Sequence, residues 1–419
     1  MAPPPIRKGE LNVYLLGRKV GRLEYSSHHN EMHFTYDAEY LADADAAPLS
    51  FALPLGAEPF DSERTTVFFE NLLPPDVVRK KLGPVLHISH HNLFGFLEAL
   101  GGDCAGAVSL WRPGAVPEGD GERLMELDED AAYEVMKSLK RRPLYVNGVD
   151  GYRISGAGAQ NKLIARLENG RIQLPLFGTP STHILKPAIA EYPDSIYNEC
   201  FCMHVAGAIG LSVAESGLVR IKDSTYYWTK RFDRAVENGR VVRLHQEDFC
   251  QILGVEAEMK YESEGGPSFS RCMAAIDEMR LGLAHKFAFI DRMIFNYLIG
   301  NADAHGKNTS ILYRGRKAVL APIYDVMSTA VYPHLSPVNA MAIGGAKRFD
   351  AVSRDSFAAM AEEAGMAAAL VLARLDGMAE RIIPAAEKLS REFKIKWPAP
   401  LYDEILKVIR SQIERIVEK

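Results

Sequence analysis

A polar turn between an apolar helical pattern and a strand-like hairpin constrains this chain more than any other segment. The turn, residues 300–308, places Asp303 and Asn308 five residues apart, after an apolar helical pattern at 289–299 and before a strand-like run at 310–313. A hairpin turn predicted at 314–316 and a return run at 318–324 then deliver a second carboxylate, Asp325. An isolated turn of this kind is usually structural, and its aspartate usually caps a helix.

The sequence Asp…Asn…Asp is nevertheless the set of groups that phosphoryl transfer from ATP requires. One carboxylate orients the attacking hydroxyl, while an amide oxygen and another carboxylate hold magnesium against the phosphates. Magnesium prefers hard oxygen ligands and retains several waters, so one Asp and one Asn from the protein are enough. The pattern therefore predicts a kinase.

Upstream segments offer groups for the phosphates. Residues 155–162 are rich in Gly and Ala between strand-like runs at 152–154 and 163–167, so their N–H groups can approach an anion closely. The Walker pattern is absent, and a plain tight turn is the commoner structure for such a segment. Lys186, at the end of a strand-like run at 182–186, is either a phosphate contact or an exposed strand-end lysine.

Three further residues have two interpretations each. Glu199, in the predicted first turn of a helix, either pairs with Lys186 or is an acid favoured by the helix dipole. Phe232, in a polar connector after the strand-like run at 226–229, either packs against an adenine ring or belongs to the core. His305 either braces Asp303 or is a buried structural residue, and the sequence leaves its role open.

Composition narrows the class of protein. A chain of 419 residues is long enough for two or three domains, and its net charge of -5 argues against coating nucleic acid unaided. The five cysteines lack paired metal spacing and predict buried thiols in a reducing cytosol. Residues 1–6 have no apolar signal core, and no run approaches the ~18 residues of a membrane span. We expect a soluble, cytoplasmic protein without membrane association.

Local patterns predict several further elements. They comprise a hairpin at 11–25, a strand at 32–36, a helix at 92–100, a Pro- and Gly-rich linker at 112–121 and a final helix at 402–419. The final helix places Ile405, Ile409, Ile413 and Ile416 at helical spacing, which indicates core packing.

With these pieces in order, the sequence resembles the HipA family, the serine/threonine-kinase toxins of bacterial toxin–antitoxin pairs. The resemblance spans most of the chain, and the ordered set of motifs is specific although no single motif is. The matching segments are Phe69-Glu-Asn-Leu-Leu-Pro74, Gly102-Asp-Cys-Ala-Gly-Ala-Val108, Ser155-Gly-Ala-Gly-Ala-Gln160, Thr182-His-Ile-Leu-Lys186, Asn198-Glu199, Arg231-Phe-Asp-Arg234, Gln246-Glu-Asp248, Tyr261-Glu-Ser-Glu-Gly-Gly-Pro267, Asp303-x-His305-x-x-Asn308 and Tyr324-Asp325.

The resemblance implies an α+β, protein-kinase-like two-lobed fold with an extra N-terminal α/β subdomain. The expected domains are an N-terminal subdomain at 1–115, a sheet-containing nucleotide lobe at 128–229 and a mainly helical catalytic lobe at 230–419. The implied cofactors are ATP and Mg2+.

The resemblance also assigns roles to individual residues. Asp303 becomes the catalytic base, with Lys186 on the phosphates and Asn308 and Asp325 as magnesium ligands; His305 joins the catalytic group. The expected nucleotide contacts are Ala157, Gly158, Ala159, Gln160, Asn161, Lys162, Lys186, Lys230, Arg231, Phe232, His305, Gly306, Lys307, Asn308, Tyr324 and Asp325. Lys230 stands where the family usually has an acidic residue, but hinge contacts are mostly made by the backbone.

Partners and regulation follow from the same resemblance. It implies a HipB-like helix-turn-helix antitoxin, operator DNA bound through that partner, and a protein substrate such as an aminoacyl-tRNA synthetase. It also implies autophosphorylation of Ser155. Two other functions stay open: a small-molecule phosphotransferase of related fold, and a non-catalytic scaffold that binds a repressor. The scaffold is disfavoured because Lys186, Asp303, Asn308 and Asp325 are all present.

Overall fold

The structure, a computed structural model, describes residues 8–26, 30–115, 117, 121–315 and 317–417. Residues 1–6, where no signal core was predicted, lie outside the described residues. So do residues 116 and 118–120 of the predicted linker, Arg316 of the predicted hairpin turn and the last two residues of the final helix. The chain forms two compact units, each assembled from separate stretches. The first unit comprises Met1–Leu185, Asp233–Glu258 and Leu312–Arg314; the second comprises Lys186–Phe232, Met259–Ile311 and Gly315–Lys419.

The strands are short and are distributed along most of the described chain. They are β1 (Lys8–Leu15), β2 (Arg18–Ser26), β3 (Glu31–Tyr36), β4 (Val108–Trp111), β5 (Arg123–Leu127), β6 (Leu163–Glu168), β7 (Arg171–Leu176), β8 (His183–Lys186), β9 (Ser216–Ile221), β10 (Ser224–Lys230), β11 (Arg234–Glu237), β12 (Arg240–Arg243), β13 (His245–Asp248), β14 (Ser310–Arg314), β15 (Lys317–Leu320), β16 (Val338–Ile343) and β17 (Ala346–Arg348).

The long helices are concentrated toward the end of the chain. The helices are α1 (Ala38–Leu41), α2 (Ser62–Glu70), α3 (Asp76–Leu86), α4 (Leu93–Leu100), α5 (Glu129–Ser138), α6 (Ser195–Ala208), α7 (Phe249–Ile252), α8 (Phe269–Glu278), α9 (Leu283–Leu298), α10 (Arg354–Glu363), α11 (Ala368–Lys396) and α12 (Leu401–Val417).

The first unit begins with a four-stranded antiparallel sheet in the order β3-β2-β1-β4. Its core includes Phe34 of β3 and Phe69 of α2, whose ring centroids are 5.9 Å apart. The hairpin predicted at 11–25 and the strand predicted at 32–36 are confirmed as β1, β2 and β3. The helix predicted at 92–100 is α4, which Asn92 caps by accepting a hydrogen bond from the Gly95 N–H at 3.0 Å.

A second sheet in this unit has the antiparallel order β5-β7-β6-β8. It confirms the strands predicted at 163–167 and 182–186. The strand predicted at 152–154 is wrong, because only Ile154 forms a bridge, and its partner is Asp103. The Asp103 N–H donates to the Arg153 carbonyl and the Ser155 N–H donates to the Asp103 carbonyl, so this backbone pairs with a loop instead of a strand.

The second unit has a helical core. Phe269 of α8 stacks on Phe289 of α9 with centroids 5.5 Å apart. In α12, Ile405, Ile409 and Ile416 are buried, as the predicted stripe requires, whereas Ile413 is half-buried. The apolar pattern predicted at 289–299 is confirmed as part of α9, which begins earlier at Leu283.

The hairpin that follows α9 differs from its prediction at the return run. Its first strand is β14, and the Ala321 N–H donates to the Ser310 carbonyl at 2.8 Å, which confirms the reversal of the chain. The returning strand β15 ends at Leu320, so a strand throughout 318–324 is wrong. Pro322 explains the interruption, since proline has no N–H to donate to a strand ladder. Ile323 then forms an isolated parallel bridge with Val213.

The architecture is a mixed fold of helices and sheets. The three domain ranges predicted above stay a prediction, since the two compact units are defined by contacts and neither is a continuous segment. Among the described residues, no helix is both long enough and apolar enough to cross a bilayer.

Candidate active site

The turn that carries Asp303 is fixed mainly by its own backbone and by Asn301. Helix α9 gives way to Gly300, whose φ of +70° is in the left-handed region; a side chain there would meet Ala330 and Val408 at 2.7 Å. The Asn301 Oδ1 accepts a hydrogen bond from the Asp303 N–H at 3.0 Å. The Ala302 N–H donates to Thr329 Oγ1 at 2.8 Å. The sequence analysis gave no role to Asn301, although its position in the turn was visible.

Asn308 closes the other side of the same turn. Its Nδ2 donates to the Asp303 carbonyl oxygen at 2.9 Å. The amide oxygen Oδ1 is the atom that could coordinate a metal ion. Gly306 lies at the start of the short 3₁₀ turn Gly306–Asn308, and its N–H donates to the Lys260 carbonyl at 3.3 Å. Asp303 and Asn308, predicted to act together, are therefore directly connected.

The Asp303 carboxylate is surrounded by protein on one side and open on the other. Its side chain is 49% exposed, yet packing of neighbouring atoms around it raises its pKa above the usual value. The Tyr261 hydroxyl donates to Oδ1 of Asp303 at 2.6 Å and acts in the opposite direction, lowering the pKa. Exposure of the carboxylate limits the size of both effects.

His305 does not brace the Asp303 carboxylate by a hydrogen bond. Its Nε2 is 4.0 Å from Oδ1 of Asp303, which is beyond hydrogen-bond distance. Burial lowers the pKa of His305 to about 3, so the imidazole is neutral at physiological pH. The ring instead meets Tyr261 edge-on, with centroids 5.4 Å apart and an interplanar angle of 84°. The bracing contact predicted for His305 is made by Tyr261.

Lys186 is held between two carboxylates. Its Nζ lies 2.6 Å from Oε1 of Glu199 and 2.5 Å from Oδ1 of Asp325. Burial alone would lower the pKa of the Lys186 ammonium, but the charges of Asp325 and Glu199 outweigh it and raise the pKa above its usual value. Lys186 is therefore a buried, charged group, and the exposed strand-end alternative is wrong.

The pairing of Glu199 settles a question that the sequence left open. Helix α6 begins at Ser195 and has no acidic residue in its first turn, so Glu199 lies in the second turn. The predicted first-turn position is wrong because the helix begins earlier, at Ser195, than the pattern suggested. A second-turn acid gains little from the helix dipole, and its contact with Lys186 is the interaction that explains its burial.

The neighbouring Asn198 holds the segment that follows Asp325. Its Nδ2 donates to the Ser328 carbonyl at 2.9 Å, and its Oδ1 accepts from the Ser328 N–H at 2.8 Å. Two adjacent side chains of α6 thus contact Lys186 and the chain after Asp325. Sequence reasoning gave Asn198 no role beyond its place in a motif, since its partner is 130 residues away.

Asp325 combines an exposed side chain with a constrained backbone. Its side chain is 49% exposed and its φ is +55°, a conformation that non-glycine residues adopt rarely. Before it, the Tyr324 hydroxyl donates to the Lys307 carbonyl at 2.7 Å and lies 2.6 Å from Ser310 Oγ. Tyr324 and Lys307, both predicted nucleotide contacts, are thereby brought together.

The predicted connector begins at the end of β10. Phe232 lies beside Tyr324, with ring centroids 5.0 Å apart and an interplanar angle of 32°. Arg231 is buried, whereas Lys230 is exposed and forms a loose ion pair with Glu215 at 3.4 Å. The connector and the Asp325 segment therefore meet through two aromatic rings.

The predicted phosphate loop belongs to the first unit. Ser155 at its start is buried, and its hydroxyl donates to the Leu72 carbonyl at 2.5 Å. The Lys162 ammonium folds back onto the loop and donates to the carbonyls of Ala157 and Gly158. Gly158 has a φ of +92°, which favours glycine. The phosphate-binding role of residues 157–162, including Ala159, Gln160 and Asn161, stays a prediction.

The donor set fits a magnesium ion better than a transition metal. Asn308 and Asp325 supply hard amide and carboxylate oxygens, the kind of ligand that magnesium prefers. Within the described part of the chain, no group of three or more His, Cys, Asp and Glu side chains has the arrangement of a metal site. A site with two protein ligands and several waters is consistent with both observations.

Known families and proteins are similar to this chain over most of its length. The model of the HipA N-terminal domain matches residues 11–111, and that of the HipA-like C-terminal domain matches residues 154–387. The putative kinase Y4mE of Sinorhizobium fredii is 39% identical over 388 residues, covering 90% of this chain and 91% of the relative. The serine/threonine-protein kinase toxin HipA of Shewanella oneidensis is 30% identical over 391 residues, covering 89% and 87%.

A solved structure is similar over nearly its whole length. The complex of HipA, HipB and operator DNA from Shewanella oneidensis contains a chain with a TM-score of 0.84 and 27% identity, covering 97% of both chains. The chain therefore has a kinase-like fold with an N-terminal subdomain, and this fold and these relatives define the protein as a kinase. The chain belongs to the HipA family.

Proposed function

We propose that the chain is an ATP- and magnesium-dependent serine/threonine-protein kinase and the toxin of a toxin–antitoxin pair. The observation that carries the proposal is the position of Lys186 between Glu199 and Asp325. Protein kinases require such a lysine–glutamate pair together with a metal-binding aspartate. A repressor-binding scaffold would have no use for a buried ammonium held in this way.

Each group then has a defined task. Asp303 accepts the proton of the attacking hydroxyl while that oxygen bonds to the γ-phosphorus and the bond to the departing ADP oxygen breaks. Lys186, oriented by Glu199, binds phosphate oxygens. Asn308 and Asp325 would hold magnesium, which would supply positive charge against the phosphates. His305 is neutral and supports the turn through its contact with Tyr261.

The adenine ring is assigned to the connector. Backbone groups of Lys230, Arg231 and Phe232 would supply its hydrogen bonds, and the apolar rings of Phe232 and Tyr324 offer a surface for packing. Residues 157–162 are assigned to the phosphates because their Gly and Ala content allows close backbone approach. Both assignments rest on the family resemblance together with residue chemistry.

The partners are proposed from the family. The similar Shewanella HipA was solved with HipB and operator DNA, which supports a HipB-like helix-turn-helix antitoxin that links this chain to its operator. The proposed substrate is a translation protein of the aminoacyl-tRNA synthetase type. All five cysteines are buried free thiols, in keeping with the proposed cytoplasmic location.

Autophosphorylation of Ser155 is proposed with a condition. Ser155 is only 2% exposed, and its hydroxyl donates to the Leu72 carbonyl. A buried hydroxyl cannot attack a γ-phosphate, so the start of the loop must leave its place before the reaction. The added phosphate, with about -1.5 to -2 charges, would then oppose both its return and the binding of ATP phosphates.

Label transfer from radioactive ATP in a host lysate tests the proposed function. The purified chain with magnesium should label a protein band, and Asp303→Asn should not. Asp277→Asn is a matched control, because Asp277 is an exposed residue of the same unit paired with Lys286. Label that appears only in small molecules would favour the phosphotransferase alternative, and no transfer at all would favour the scaffold. Growth arrest on expression of the wild type, but not of Asp303→Asn, would support the toxin role.

A further inference from the structure

The side chain of Tyr261 is the feature of this site that has no assigned role. Its hydroxyl donates to Oδ1 of Asp303 at 2.6 Å, across 42 residues of sequence. Within the described part of the chain, no other group donates a hydrogen bond to the Asp303 carboxylate. The neighbouring His305 Nε2 is 4.0 Å away, which is too far. The backbone of Asp303 bonds to Asn301 through its N–H, and its carbonyl accepts from the His305 N–H and from Asn308 Nδ2.

The backbone around Tyr261 is built as a rigid turn. The N–H groups of Glu264 and Gly266 donate to the Tyr261 carbonyl at 3.0 and 2.9 Å. A side chain at Gly266 would lie 2.3 Å from the Met259 carbonyl oxygen and 2.6 Å from that of Tyr261, so only glycine fits there. This close packing explains why residue 266 of the turn is glycine.

The turn is also connected to both sides of Asp303. The Lys260 carbonyl accepts from the Gly306 N–H at 3.3 Å. The Glu262 Oε2 accepts from the Ala342 N–H of β16 at 2.6 Å, and the Ala340 N–H of the same strand donates to the Ala302 carbonyl at 2.9 Å. These bonds form a frame in which the position of the Tyr261 hydroxyl relative to Asp303 is fixed.

The chemistry of Tyr261 suits a donor that never loses its proton. Burial and the neighbouring Asp303 charge raise the pKa of Tyr261 above its usual value. The Lys260 Nζ lies over the ring, 5.0 Å from the centroid, and His305 packs against it edge-on. The ring is therefore held on two sides while its hydroxyl points to the carboxylate.

We propose that Tyr261 is a positioning residue for phosphoryl transfer: its hydroxyl fixes Oδ1 of Asp303, so that Oδ2 faces the acceptor hydroxyl. The inference rests on the proposed function of Asp303 as the base. A freely rotating carboxylate on a half-exposed side chain would spend most of its time in unproductive orientations, whereas one anchored oxygen restricts it to a near-attack geometry. Tyr261 acts through Asp303 and needs no contact with the substrate.

The test is Tyr261→Phe in the full-length protein. The rate of label transfer from radioactive ATP to the lysate protein that the wild type labels is measured against ATP concentration. We expect the maximal rate to fall roughly 10- to 100-fold, as for loss of a hydrogen bond to a charged group, with the KM for ATP within about two-fold of wild type. The melting temperature should change by no more than about 2 °C.

Two comparisons make the result specific. Tyr402→Phe is the matched control, since the buried Tyr402 of the same unit donates its hydroxyl to the Trp397 carbonyl at 2.9 Å; its rate should equal that of wild type. The double variant Tyr261→Phe with Asp303→Asn should be no slower than Asp303→Asn alone, because Tyr261 acts only through that carboxylate.

The possible failures are distinguishable. If Asp303→Asn transfers label at the wild-type rate, the proposed function of Asp303 fails, whatever Tyr261→Phe does. If Asp303→Asn is inactive and Tyr261→Phe retains the wild-type rate, only the positioning role is overturned. The positioning role is also overturned if Tyr261→Phe loses rate in proportion to a raised KM or a lowered melting temperature, which would indicate general structural damage.

Discussion

The Lys186 ammonium lies 2.6 Å from the carboxylate of Glu199, which is in the second turn of helix α6. Both side chains are nearly inaccessible to water, at 7% and 5% exposure. An ion pair removed from water is costly to break from one side, because the remaining charge is left without its partner. The contact therefore fixes the position of the Lys186 ammonium.

We predict that Glu199→Gln shows what the charge of Glu199 contributes to phosphate transfer and to stability. The amide keeps the size of the side chain but loses its charge, so Lys186 is held by Asp325 alone. Label transfer should fall at least roughly tenfold, and the free energy of unfolding should fall by about 1–3 kcal/mol. Glu404→Gln is the control, since Glu404 forms an exposed ion pair with Lys407 and such pairs contribute little. Unchanged transfer in Glu199→Gln would refute the orienting role.

Two aspartate variants should differ in nucleotide binding although both lack turnover. Asp325→Asn loses a metal ligand, so fluorescent ATP should bind more weakly in magnesium and respond little to its removal by EDTA. Asp303→Asn loses the base, so ATP should bind nearly as in wild type and with the same magnesium dependence. Each loss corresponds to several kcal/mol of transition-state stabilisation. Turnover within a few-fold of wild type in either variant would contradict the assignment.

Phosphorylation of Ser155 should be visible by mass spectrometry. Wild-type protein incubated with ATP and magnesium should carry phosphate on Ser155, while Asp303→Asn should not. Ser155→Asp should lose nucleotide affinity because its charge repels the phosphates of ATP. Ser155→Ala is the control and should bind ATP normally, although it loses the hydrogen bond to the Leu72 carbonyl. A protein that labels other substrates but never Ser155 would falsify this regulation.

Glu247 predicts a pH dependence of stability in the first unit. Burial raises the pKa of this carboxyl to about 7 from 4.5, despite hydrogen bonds from Ser50, the Phe51 N–H and Tyr313. The folded protein thus binds more protons than the unfolded chain between these values. The contribution of Glu247 to stability is complete below the lower value and is lost as pH rises through the higher one, by roughly 3 kcal/mol.

Comparison with Glu247→Gln isolates this effect from that of His245. Burial lowers the pKa of His245 to about 4, so His245 has the opposite slope in the overlapping range. Relative to wild type, Glu247→Gln should gain stability in urea denaturation as pH rises from 5 to 8. Glu126→Gln, in an exposed pair with Arg171, should show no such trend. A constant difference between Glu247→Gln and wild type across this range would be inconsistent with a raised pKa.

DNA association should depend on a basic partner. Because the chain has a net charge of -5, we expect it alone to leave operator DNA unshifted at physiological salt. With a helix-turn-helix antitoxin present, binding should appear and should weaken steeply as salt increases, since neutralising phosphates releases counterions. A gel shift by this chain alone under those conditions would contradict the proposed bridging role.

Local patterns predicted those parts of the site that neighbouring residues determine. The strand before Lys186, the helix before Asp303 and the reversal after Ser310 each have a periodic or turn signal within a few residues. The contact between Tyr261 and Asp303 has no such signal, because tertiary packing alone brings residues 42 positions apart together. The beginning of α6 was predicted too late for a related reason: residues 195–198 permit helix or turn, and the surrounding structure decides.

The two cysteines of α6 next to Glu199 are buried, which protects this part of the helix from thiol-reactive agents. Cys200 follows Glu199 directly and Cys202 lies two residues further on, and burial raises the pKa of both thiols above the usual value. A protonated, inaccessible thiol is a poor nucleophile, so oxidants and alkylating agents have no entry at this helix. Phosphate transfer by this chain should therefore be indifferent to redox stress at α6, and iodoacetamide should modify neither cysteine until the protein unfolds.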